Sequence, residues 1–189
     1  RNLCTLFLMP LVFVQAMVLR NKIPKLHLPE DKPFGIAGGD GEILRVLILG
    51  ESPAAGYGLS SYLDSVAAQL ALCLSKGGSS VYWKACGWVG VDMLSLGRKT
   101  WPEEPFDIVF VAMGVNDIKN LSSAHYWRRG IESVVAKCAA QYPEALVVFS
   151  DLPPVEQFPA LSSVLSLILS WRRELLQHVL TDMLEQKEM

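Results

Sequence analysis

Residues 44–49 and 108–113 are apolar at nearly every position, Arg45 being the exception. So continuous a pattern fits interior strands of a parallel sheet, covered on both faces, rather than half-exposed strands whose residues alternate. Two further mostly apolar runs, 81–85 and 145–150, read as further strands. Between them, residues 60–75, 93–98, 123–141 and 164–185 repeat apolar positions at helical spacing. The first of these stops at Gly77-Gly78, and Trp101-Pro102-Glu103-Glu104-Pro105 breaks the pattern ahead of the third strand. Strands that alternate with helices in this way predict an α/β domain with a parallel sheet and right-handed crossovers.

The pattern changes toward the N-terminus. Residues 3–19 form an uncharged, mostly apolar segment interrupted by Pro10, at the short end of what spans a bilayer. A signal peptide would end in a small-residue cleavage site, whereas this segment runs into Leu19-Arg20-Asn21-Lys22, which favours an anchor. Arg20, Lys22 and Lys25 follow it and only Arg1 precedes it, so the positive-inside rule leans toward the cytoplasmic face for the globular part. Residues 20–42, with three prolines and four glycines, read as a tether, and the expected division is anchor 1–19, tether 20–42 and domain 43–189. A chain of 189 residues with 51% hydrophobic content can bury one sizeable core. A net charge of -2 with dispersed basic residues gives no stripe that would follow a nucleic acid backbone. Cys4, Cys73, Cys86 and Cys138 are far apart, form no C-x-x-C pair, and are expected to be buried free thiols.

Two short polar motifs close the strongest strands: Gly50-Glu51-Ser52 follows the first and Gly114-Val115-Asn116-Asp117 the third. Open α/β sheets keep their ligand sites at the carboxyl ends of their strands. In these blocks the chain resembles the SGNH hydrolases, also called GDSL esterases and lipases, and the resemblance runs through most of its length. The family's first block is Gly-Asp-Ser; here Glu51 keeps the carboxylate and adds a methylene. The family's second block, a glycine after the second strand, is placed at Gly90, with Gly87 as its rival. The Gly-x-Asn-Asp block is matched in full. The last block, Asp-x-x-His, which brings the general base in that family, has no match, so the sequence has the look of a fragment or variant lacking the final element.

The resemblance implies a three-layer α/β/α fold with flavodoxin-like strand order, C-terminally incomplete. It also implies hydrolysis of a small-molecule carboxylic ester without metal or organic cofactor. Ser52 would be the nucleophile, and the oxyanion hole would comprise the Ser52 and Gly90 backbone N–H groups and the Asn116 side-chain amide. Plainer roles stay open for each: a helix N-cap for Ser52, a turn glycine at 90, a turn-forming asparagine at 116. A helix N-terminus just beyond Ser52 is expected to favour negative charge there. Asp117 is expected to brace its loop, and Tyr57, Trp88 and Met93 to border the pocket or, as often for large residues at such positions, to pack in the core. None of His27, His125 and His178 has an aspartate three residues before it. Without a base the Ser52 hydroxyl stays protonated, so the chain as written is expected to be a poor esterase. The alternative is a non-catalytic truncated hydrolase or a membrane-attached binding module. Nucleotide binding is disfavoured, since residues 50–56 lack the Gly-Lys-Ser/Thr ending and 56–61 the third dinucleotide-binding glycine. The α/β-hydrolase elbow would need glycine at position 54, where Ala54 stands.

Overall fold

A computed structural model describes residues 26–159 and 161–185, so the expected anchor and the first part of the tether lie outside the described residues. One sheet is built from β1 (Phe34–Ala37), β2 (Ile43–Gly50), β3 (Ser80–Gly87), β4 (Ile108–Ala112) and β5 (Leu146–Phe149). Their order is β1-β3-β2-β4-β5. β2 pairs in parallel with β3 and β4, and β4 with β5, while β1 runs antiparallel to β3. Taken alone, the parallel strands follow the order second, first, third, fourth, which is the flavodoxin-like winding. The order reverses beside β2, and the crevice at such a switch point is where this architecture binds ligands.

The helices are α1 (Val66–Ser75), α2 (Met93–Leu96), α3 (Val115–Lys119), α4 (Ala124–Gln141) and α5 (Ser163–Glu185). Successive residues of β2 feed two cores because side chains alternate across a strand. Val46 and Ile48 pack with Trp83, Ala85 and the small α1 residues Ala67, Ala68 and Ala71. Leu47 and Leu49 face the larger core, shared with Val109 and Val111 of β4 and with α2, α4 and α5. All four β2 side chains are 0% exposed, which is the double-sided burial that the continuous apolar run predicts. Each such side chain contributes roughly 1.5–3 kcal/mol. Trp127 of α4 adds a buried polar tie, its Nε1–H donating to the Leu176 carbonyl of α5 at 3.0 Å.

Three expectations change. Part of the proline- and glycine-rich segment is strand: Phe34–Ala37 pairs with Val81–Lys84 along the edge of β3. The helix expected over 60–75 begins only at Val66, where the Ser65 hydroxyl accepts the Ala68 N–H, and a single 3-10 turn (Tyr62–Asp64) precedes it. Residues 51–58 instead follow turns, closed by bonds such as Ala55 N–H to Glu51 O and Tyr57 N–H to Ser52 O. No regular helix starts directly behind Ser52, which removes the dipole expected there. Finally, Cys73 is exposed on the outer side of α1, whereas Cys138 is buried and Cys86 half-buried; all three are free. No helix among the described residues is long and apolar enough to cross a membrane.

Candidate active site

Gly50, the last residue of β2, stands level with Gly87 of β3 and Ala112 of β4. Beyond that level the Trp88 N–H donates to the Gly50 carbonyl at 3.0 Å and the Glu51 N–H to the Ala112 carbonyl at 3.3 Å. The segments carrying Ser52, Gly90 and Asn116 therefore leave three adjacent strands at the same end of the sheet.

Side chains stitch these segments together. The buried Glu51 carboxylate accepts the Val115 N–H at 2.7 Å and the Asn116 N–H at 2.9 Å. These are first-turn amides of α3, which have no partner within the helix and receive no side-chain cap from Gly114. Burial pushes the Glu51 carboxyl up from its ordinary range, the two amides pull it down, and the neighbouring Asp117 charge adds to the rise. Asp117 is fully buried and accepts the Met93 N–H and the Ser122 hydroxyl, each at 2.9 Å. Desolvation is the main reason its pKa is pushed up to about 6. It braces more than its own loop, since Met93 belongs to the segment after β3. Asn116 donates from Nδ2 to the Val91 carbonyl at 2.9 Å and accepts the Lys119 ammonium on Oδ1 at 2.7 Å.

What this network leaves free matters as much. Neither the Ser52 N–H nor the Gly90 N–H has a hydrogen-bond partner among the described residues, and only one Asn116 amide hydrogen is engaged. Gly90 is exposed and holds φ at +78°, a left-handed conformation in which glycine is unstrained. Its rival Gly87 has a different task. A Cβ there would lie 2.2 Å from the Ala55 nitrogen, so Gly87 lets the Ser52 turn pack directly on β3.

The other expectations divide. Tyr57 and Trp88 are half-buried, but Met93 is 1% exposed and belongs to the core, so it cannot border a pocket. Ser52 is half-buried, and no histidine is hydrogen-bonded to it among the described residues. His178 is exposed on α5 with Nδ1 held 2.8 Å from the Glu174 carbonyl, His125 is exposed at the start of α4, and the His27 carbonyl accepts the Gly58 N–H. Two members of the network were not foreseen. Glu51 grips an amide 65 residues away, which no local pattern signals. Lys119 was recoverable, because it follows Asn116 at a spacing that puts both on one helix face.

Residues 48–186 match the model of the GDSL-like lipase/acylhydrolase family, and the chain belongs to that family. No curated protein matches it. Among solved structures it is similar to AlinE4, an SGNH-hydrolase family esterase, with TM-score 0.51 and 20% identity over 62% of this chain and 64% of that one. A G-D-S-L family protein from Desulfitobacterium hafniense DCB-2 gives TM-score 0.57 and 13% identity over 77% of this chain and 74% of that one. Axe2, an acetylxylan esterase from Geobacillus stearothermophilus, gives 0.50 and 13% over 75% and 74%. In that AlinE4 structure the chain thus covers less than two thirds of the length. These likenesses establish the fold as an SGNH hydrolase α/β fold.

Proposed function

We propose that the chain is a serine hydrolase of carboxylic esters. The Ser52 Oγ attacks the acyl carbonyl carbon and its proton passes to the departing alcohol oxygen as the C–O bond breaks; water then attacks the Ser52 ester, giving one proton back to Oγ as the acid leaves. The observation that carries this reading is the set of unengaged donors, the N–H groups of Ser52 and Gly90 and the second amide hydrogen of Asn116, at the ends of three adjacent strands. Such donors meet the charge that develops on the former carbonyl oxygen, and one is typically worth about 2.7–4 kcal/mol. The uncharged run over residues 3–19 supports attachment to a membrane, with Arg20, Lys22 and Lys25 favouring the cytoplasmic face.

A second reading is favoured by one observation, that no histidine is hydrogen-bonded to Ser52 among the described residues. In that reading the chain keeps the donors but scarcely turns over. An aryl phosphonate probe and a short-chain aryl ester separate the two. Labelling at Ser52 with ester turnover, both lost in Ser52→Ala, supports the hydrolase. Slow labelling without turnover, accelerated by added imidazole, supports the second reading. A folded chain that is neither labelled nor active removes both.

A further inference from the structure

Asn116 is held by a lysine. Lys119 lies three residues further along α3, on the same helix face, and donates from its ammonium to Asn116 Oδ1 at 2.7 Å. On the other side of the amide, Nδ2 donates to the Val91 carbonyl at 2.9 Å. An asparagine amide can be turned either way round with little change of shape. An ammonium only donates and a backbone carbonyl only accepts, so this pair of neighbours admits one orientation. It is the orientation that leaves an N–H, rather than the oxygen, unengaged.

Charge gives the second argument. The Glu51 carboxylate sits on the backbone N–H of Asn116 and the next residue is the fully buried Asp117, so Asn116 has one buried carboxylate on its backbone and another beside it in the chain. An oxyanion forming at Asn116 would be repelled by both. Lys119 is exposed and has no carboxylate partner among the described residues, and its ammonium donates to the Asn116 oxygen. A cation on the oxygen of an amide draws electron density from its nitrogen and strengthens the remaining N–H as a donor. We propose that Lys119 is a positioning residue of the oxyanion hole, acting through Asn116 by fixing its amide orientation and offsetting those two carboxylates. The proposal rests on the ester-hydrolase reading. If Lys119 served only as a solvated cation in the last turn of α3, it would support the helix and leave the transition state untouched.

The test uses the 189-residue chain with Lys119→Met, which keeps an unbranched apolar side chain without the charge, and Lys119→Arg, which keeps the charge. Both are combined with Asn116→Ala. Removing a whole oxyanion donor costs about 10²–10³-fold in rate, and Lys119→Met, which weakens one without removing it, is expected to slow phosphonate labelling of Ser52 and kcat about tenfold. KM should stay within about twofold, since ground-state binding is not at issue. Lys119→Arg should recover most of the rate, and in the Asn116→Ala background Lys119→Met should cost nothing further. An independent readout is the ¹H–¹⁵N signal of the Asn116 side-chain amide, identified by its loss in Asn116→Ala. It should shift in Lys119→Met and return toward the native position in Lys119→Arg. Labelling that is unchanged in Lys119→Met, or a tenfold loss that persists without Asn116, overturns the proposal. If the native chain itself is folded but not labelled, the hydrolase reading fails, and the amide signal alone decides whether Lys119 holds Asn116; a signal indifferent to Lys119→Met overturns that too.

Discussion

Asp117→Asn isolates what it costs to keep a carboxylate beneath the candidate site. The Asp117 carboxyl has its pKa pushed up from 3.8 to about 6, chiefly by desolvation, even though the Met93 N–H and the Ser122 hydroxyl favour its charged form. A raised acid pKa means that, between about pH 4 and pH 6, the folded chain keeps a proton that the unfolded chain releases. The associated stability is therefore complete below about pH 4 and is lost as the pH rises through about 6. A shift of about two units corresponds to roughly 3 kcal/mol at about 1.36 kcal/mol per unit. Asparagine has the same shape, still accepts the Met93 N–H, and can donate its amide to the Ser122 oxygen, but it does not titrate. The stability of Asp117→Asn minus that of the native chain should therefore rise by about 2–3 kcal/mol between pH 4 and pH 7. Glu51 is present in both proteins, so its own raised pKa largely cancels in the difference. The assay is urea denaturation of the full chain across that pH range, followed by the fluorescence of the buried Trp83 and Trp127. A difference that stays flat, or that falls as the pH rises, would refute the reasoning, because the hydrogen bonds to Asp117 would then outweigh its desolvation.

Asn116→Ala should lower kcat or the phosphonate labelling rate by about 10²–10³-fold with a smaller change in KM, measured in parallel; an unchanged kcat removes it from the oxyanion hole. Gly87→Ala should cost about 1–3 kcal/mol in denaturation and slow labelling of Ser52, because its methyl group meets the Ala55 backbone at 2.2 Å and must displace the serine turn. The 189-residue chain should partition with membranes and need detergent for release, whereas one lacking residues 1–20 should be more soluble; the 189-residue chain in the soluble fraction with its N-terminus intact would sink the anchor.

How much of this the sequence discloses depends on how far apart the interacting residues lie. β2 is legible because both of its faces are covered, which forces apolar residues at 46, 47, 48 and 49 alike. β1 is not, since three of its four residues are exposed or half-exposed and what makes it a strand is its ladder with β3, more than forty residues on. The motifs at Ser52 and Asn116 are visible for the same local reason, each standing where an apolar run stops. What holds them is not visible: the Glu51 carboxylate is plain in the sequence, but its grip on Val115 and Asn116 exists only after β2 and β4 have paired. That grip also gives a meaning to the departure from Gly-Asp-Ser. Two bonds of 2.7 and 2.9 Å to successive amides fix the spacing between the end of β2 and the start of α3 for a glutamate-length side chain. Shortening it by one methylene, in Glu51→Asp, would leave those amides under-reached unless the serine turn and α3 moved together by roughly the length of a C–C bond, about 1.5 Å. The aspartate usual in the family is thus expected to be the poorer residue in this chain. The extra methylene of Glu51 belongs with the packing of Gly87 on Ala55 and of Leu152 behind Gly114, which together set where Ser52 and Asn116 come to rest.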